Sequence, residues 1–317
     1  MRLMKIEIGD FSWGDLARVG AVVILLACQP VRTFAQEKGQ KTFSSAEDAS
    51  QALVTAAQDN DEKMLIEIVG KSAKEIISSG DDKQDAQHRA HFVKRYEELH
   101  RLVKEPDGTT TLYVGVDNWP TPIPLVNKGN VWYFDGEAGK QAILYRRVGK
   151  NEISTIRVCE QLAAAEKEYF AMQRVYAAKI ASDAGQKNGL YWEGEPKSPI
   201  GPKIAAADTT DKTASGTPFR GYYFRVLTDQ GKDAPGGAKS YMVDGKMTDG
   251  FAIEAYPVEY RSSGVMTFMV GSDGVVHEKD LGKKTETEAK AIKTFNPDSS
   301  WHPAEEQQET TNAQTTK

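Results

Sequence analysis

The sequence predicts an α+β protein in two parts, with N-terminal helices on a curved antiparallel sheet and then a long helix packed on a second antiparallel sheet. Three observations predict it. Apolar residues recur at helical spacing over residues 44–102, short β-rich runs follow over 109–134, and the same order of helix before strands returns between Asn151 and Glu278. At 317 residues with 39% hydrophobic side chains, the chain is long enough to build two cores.

Residues 1–35 read as an export signal and stand outside the fold. Arg2, Lys5 and Arg18 precede an apolar run from Val19 to Cys28, about half the length a membrane-spanning helix needs. Pro30 ends the run, and Thr33-Phe34-Ala35 sets small residues before the cut, so the mature chain is expected to begin at Gln36 in the periplasm or outside the cell. Leu25-Leu26-Ala27-Cys28 also reads as a lipoprotein box, in which Cys28 would carry a lipid anchor. Loss of Cys28 leaves Cys159 as the only thiol, so no intramolecular disulfide can form. Its spacing from Ile156 and Leu162 on a helix predicts a buried, apolar role.

The first folded part is expected over residues 41–149. Ser44 with Glu47 forms a capping-box signal for a helix carrying Ala49, Leu53, Ala56 and Ala57 on one face. Met64, Leu65, Ile68 and Val69 mark a second helix ending at Gly70, and a third spans 82–102 with Ala86, Ala90, Val93, Tyr96 and Leu99 in register. Strands follow at 109–116 and 131–134. The prolines of Trp119-Pro120-Thr121-Pro122-Ile123-Pro124 confine that stretch to an edge or a connection.

The second part is expected over 150–301. Asn151 reads as the N-cap of a helix reaching about residue 182, followed by an irregular stretch over 183–218 that is either a functional insert or a wrapped extension. Strands are expected at 221–228, 239–244, 251–258, 265–270 and 275–278, with Ser272-Asp273-Gly274 turning the last hairpin. Thr285 and Glu288 open a short helix with Ala289, Ile292 and Phe295 facing inward, and residues 302–317 read as a mobile polar tail.

The net charge of −5 and the pI near 5.7 exclude a surface built for phosphate backbones, so no nucleic-acid partner is expected. Catalytic signals are sparse. There is no Gly-x-Ser-x-Gly elbow, and His277 and His302 lack the context of a general base. His88 and His91, with Asp85 three residues earlier, have metal-ligand spacing, but their charged neighbours make a solvated helix face the simpler reading. Asp229, Asp233, Asp244 and Asp249 do not follow a calcium-loop pattern, and Gly236-Gly237 lacks the Lys-Ser/Thr of a phosphate loop and reads as a hairpin connection. No catalytic residue, metal or cofactor is therefore expected. Trp119 and Trp132, flanked by Tyr133 and Phe134, with Arg146 and Arg147, form the one candidate ligand-binding cluster, set against core packing for the rings and solvation for the arginines.

Several motifs in one order carry a family resemblance. Gly129-Asn130-Val131-Trp132-Tyr133-Phe134-Asp135, Ala138-Gly139 and Arg146-Arg147-Val148-Gly149 come first. Gly189-Leu190-Tyr191-Trp192, Ser198-Pro199-Ile200-Gly201-Pro202, Pro218-Phe219-Arg220-Gly221, Ala234-Pro235-Gly236-Gly237-Ala238, Gly264-Val265-Met266-Thr267-Phe268 and Lys279-Asp280-Leu281-Gly282 follow. Together they resemble the bacterial family known as domain of unknown function 2950, over about 43–301, with Gln141 standing where an acidic residue is expected. The resemblance implies an exported protein and brings no reaction with it. The second half is also similar to the globular part of type II secretion pseudopilins, without their hydrophobic stem. The function expected is a non-enzymatic envelope module for interaction or assembly with other envelope proteins; a small-ligand binder using an N-terminal cleft and an envelope hydrolase are the alternatives.

Overall fold

The computed structural model describes residues 36–210 and 216–304. The expected export signal, Cys28 and its lipid, and the tail beyond Ala304 lie outside them. By internal packing the chain divides between Arg146 and Arg147.

The first unit opens with α1 (Ala46–Gln58). The cap is Ser45, whose side chain accepts from the Asp48 N–H, one residue beyond the expected Ser44. Then come α2 (Glu62–Val69), capped by Asp61 and closed at Gly70 with φ 91°, and the short α3 (Lys74–Ile77). Next is α4 (Asp82–Glu98), capped by Asp81. It stops short of the expected residue 102 because Leu99 turns to extended backbone (φ −166°) and the chain continues as a strand. Ala90 and Leu99, expected inward, are exposed; Phe92, Val93 and Tyr96 make the inner face.

Five antiparallel strands follow: β1 (His100–Lys104), β2 (Thr110–Val114), β3 (Trp119–Pro120), β4 (Leu125–Lys128) and β5 (Val131–Phe134). The order is β1-β2-β4-β5, with β3 also on β2, so the proline-rich segment contributes only a two-residue strand, as its missing N–H groups require. Alternation sends Leu112, Val114, Leu125 and Phe134 to one face, where they meet Val54, Leu65, Ile68 and Tyr96 of the helices. Each such fully buried side chain contributes about 1.5–3 kcal/mol. This is the helical layer on an antiparallel sheet that the sequence predicts.

The long helix α5 (Gly136–Gln173) begins fifteen residues before the expected Asn151 and ends nine before the expected Ser182. Asp135 starts it, with Oδ1 accepting from the Ala138 N–H at 2.9 Å. Asn151 lies inside it and donates to Ser263 O at 2.8 Å instead of capping. At the other end Arg174 adopts φ 59°, and Tyr176 leaves the helix to bond Met247 O at 2.7 Å. At about 1.5 Å per residue the helix is on the order of 57 Å long.

In the second unit, the described part of 183–218 is a wrapped extension: Leu190, Trp192, Ile200, Ala205 and Ala207 all enter the core, the last stretch through α6 (Pro202–Ala205). The main sheet is an antiparallel meander of β6 (Tyr222–Leu227), β11 (Ala252–Pro257), β12 (Met266–Gly271), β13 (Val276–Asp280) and β14 (His302–Pro303). Between β6 and β11 lie β7 (Asp229–Gln230) with β8 (Lys239–Ser240), and β9 (Met242–Val243) with β10 (Lys246–Met247). The expected strand at 239–244 is thus divided between β8 and β9. Gly236 and Gly237 occupy the β7–β8 connection at φ 88° and 79°.

Phe224, Ile253, Ala255, Phe268 and Val270 pack with Ile156, Cys159 and Leu162 of α5. Cys159 is fully buried, as its spacing predicts, and burial pushes its thiol well above the ordinary cysteine range. The opposite sheet face meets α7 (Thr285–Ala291) and the strand-like segment after it, with Phe295 bonded through its backbone to Asp229 and Gly231. His302 and Pro303, expected in the tail, pair with Glu278 and His277, and Trp301 beside them is buried. Among the described residues, no helix is long and apolar enough to cross a membrane.

Candidate functional site

The β2–β3 turn of the first unit gathers the most unusual surface chemistry. Gly115 has φ 78° and Asn118 φ 53°, with Asn118 N–H donating to Gly115 O at 2.9 Å. Two arginines hold the turn from below. Arg95, near the end of α4, pairs with Asp117 and donates to Val114 O, while Arg101 on β1 donates through Nε to Asn118 Oδ1 at 2.8 Å. A side chain at Gly115 would collide with the Arg95 guanidinium, so this position needs glycine twice over, for its backbone and for its space.

The turn is also where apolar surface is left in water. Val116 is 75% exposed and Leu99 43%, and they flank the bond from Gly115 N–H to Leu99 O. The flanking strands carry two guanidinium–aromatic stacks, and Trp119 also packs on the Val54–Tyr96–Leu112–Val114 cluster. Arg101 sits 4.8 Å from the Tyr113 ring centroid, and Arg146, from the first turns of α5, sits 5.5 Å from that of Trp119. Tyr113 also donates to Glu105 Oε1 at 3.3 Å; burial first, and then the Glu105 charge, raise its phenol above the ordinary value. Burial pulls the Arg146 guanidinium downward, with Tyr113 opposing. No carboxylate among the described residues lies within ion-pair distance of Arg146.

Of the four residues singled out from sequence, Trp119 and Arg146 come together here. Trp132 lies on β5, where its backbone exchanges two 2.9 Å hydrogen bonds with Phe43 and its ring packs on the helical core. Arg147 belongs to the second unit and donates to Ser262 O at 3.0 Å. Tyr113, Arg101, Val116 and Leu99 were not singled out. Tyr113 alternates out of the Leu112/Val114 face, which was a usable signal; the exposure of Leu99 depends on where α4 stops and was not.

The other candidate chemistry disperses. Asp85 turns inward to accept from the Ser79 N–H and hydroxyl, whereas His88 is exposed, so the two do not share a solvated face. Asp229 accepts from Thr228, Asp233 faces Asn296, Asp249 pairs with Lys239, and Asp244 holds the left-handed first position of the β9–β10 turn. Among the described residues no three His, Cys, Asp or Glu side chains group as metal ligands do. His100 stacks on Tyr96 at 3.8 Å, and His277 meets Phe295 edge-on.

No curated protein and no solved structure matches the chain. The family model described as "Protein of unknown function (DUF2950)" matches residues 40–304. That span takes in both units, and the chain belongs to the DUF2950 family.

Proposed function

We propose that the chain is an exported, non-enzymatic interaction module of the bacterial envelope, and that it engages a partner protein through the β2–β3 turn of its first unit. The observation that carries this reading is that one turn and its flanking strands hold the exposed Val116 and Leu99 together with the Arg101–Tyr113 and Arg146–Trp119 stacks. Protein interfaces draw most of their binding energy from Trp, Tyr and Arg around an apolar centre, and this turn offers that composition on a rigid, arginine-braced support. Arg146, with no carboxylate within ion-pair distance among the described residues, suits a partner that presents an acidic group. The helix-and-meander second unit is the part we assign to assembly.

The test is quantitative capture from envelope extracts with the wild-type chain and with Val116→Asp. A set of proteins retained by the first and lost with the second supports the module; identical sets from both overturn it. The export step has its own readout, because the intact mass of the mature chain is expected to begin at Gln36. A chain found in the cytosol with residues 1–35 attached would remove the envelope from the proposal.

A further inference from the structure

Resting on the interaction reading, we infer that the outer edge of β1 takes up an extended acidic segment of the partner as an added antiparallel strand. Backbone bonds fix which groups are on offer. Gly115 N–H donates to Leu99 O and Glu105 N–H to Thr109 O, both at 2.8 Å, so residues 99, 101, 103 and 105 direct their backbone groups toward β2. His100, Leu102 and Lys104 therefore point theirs outward. β1 is the terminal strand of its sheet, and none of the described residues pairs with those outward N–H and C=O groups.

Charge selects the occupant. The strand reads His100, Arg101, Leu102, Val103, Lys104, with no acidic residue, in a chain whose overall charge is −5. His100, Arg101 and Lys104 are all exposed. A second copy docked antiparallel about Leu102 would bring the two Arg101 side chains into diagonal contact. Like charges opposed in this way destabilise strand pairing, which is how edge lysines blunt self-association. An acidic strand converts that repulsion into an attraction to Arg101 and adds one to Lys104, and its backbone completes the ladder. The edge runs directly into the exposed turn, since Leu99 precedes the strand and Arg101 braces Asn118, so one partner segment can use both.

The experiment uses a short capped peptide alternating glutamate with valine, carrying a fluorophore, and the full mature chain. Lys104→Pro deletes an outward N–H without touching the bonds to β2, and Lys104→Thr removes the same charge while keeping the amide. Saturable binding is expected for the wild type, weakened about threefold by Lys104→Thr and at least about tenfold by Lys104→Pro, with thermal melts showing both variants folded. Amide exchange should slow at His100, Leu102 and Lys104 in the complex and stay unchanged at Arg101 and Val103. Absence of binding, equal affinity for a lysine–valine peptide, or unaltered affinity in Lys104→Pro would each overturn the inference. A concentration-dependent dimer abolished by Lys104→Pro would overturn it in favour of a second copy. Failure of the peptide while Val116→Asp still strips partners removes the edge and leaves the module; failure of both removes both.

Discussion

Arg225 on β6 and Glu254 on β11 stand directly opposite each other in the second unit's sheet, both buried, with the Arg225 Nε donating to Glu254 Oε2 at 2.6 Å. The same guanidinium donates onward to Ala289 O and Ile292 O, at the end of α7. One side chain thus ties a central strand to the helix that covers it, at the helix end where a cation is favoured.

Removing one partner should be far worse than removing both. Arg225→Met leaves a buried carboxylate and the Ile292 carbonyl without their donor, and should cost about 3–5 kcal/mol in urea unfolding. Arg225→Met with Glu254→Met should recover a large part of that loss. A single variant as stable as the wild type would show that the pair does not hold α7.

Glu166 sets the pH dependence of the second unit. Its side chain on α5 is fully buried, one oxygen accepts from the Ala177 N–H at 2.8 Å, and burial pushes the carboxyl up to about 8. Because the folded value lies above the unfolded one, the unfolded chain holds fewer protons between about pH 4.5 and pH 8, so this group makes stability fall as pH rises through that window. The total is roughly 5 kcal/mol at high pH. Glu166→Gln should therefore gain stability over the wild type at about pH 9 and little at about pH 4. Parallel stability profiles for the two chains across this range would refute the assignment.

Gly264 lies against the Tyr222 hydroxyl, which itself donates to Met266 O at 2.9 Å. A methyl group there would collide with that hydroxyl, and Tyr222 is fully buried and has no room to retreat. Gly264→Ala should lower stability by about 1–3 kcal/mol, and Tyr222→Phe should relieve part of the loss in the double variant.

Cys159 should be inert in the folded chain. Its burial and raised thiol predict no alkylation by iodoacetamide at mildly alkaline pH, and full alkylation in guanidinium. Rapid labelling of the native mature protein, read by intact mass, would mean that α5 opens at this level.

Much of the fold could be read from local signals, because Gly70, the Asp273-Gly274 turn and the alternating strands speak through their immediate neighbours. What escaped was decided at a distance. Gly139 and Gly149 make the start of α5 look broken, yet a side chain at Gly139 would collide with Ile123, so that glycine serves packing and not a turn. β1 escaped because an edge strand with basic residues at both ends looks like the continuation of α4. At the site, Trp119 and Arg146 are joined by the path of α5, whereas Trp132 was grouped with them on composition alone and alternation sends it to the core. The exposure of Val116 depends on how Arg95 and Arg101 brace its turn, and no local pattern records that.

The two-residue strand His302–Pro303 has a consequence for proteolysis. It lies on β13 beside buried Trp301, so a protease that trimmed the chain back past Trp301 would uncover a strand flank together with the indole's former pocket. Molecules shortened in this way would be prone to stick to one another flank to flank.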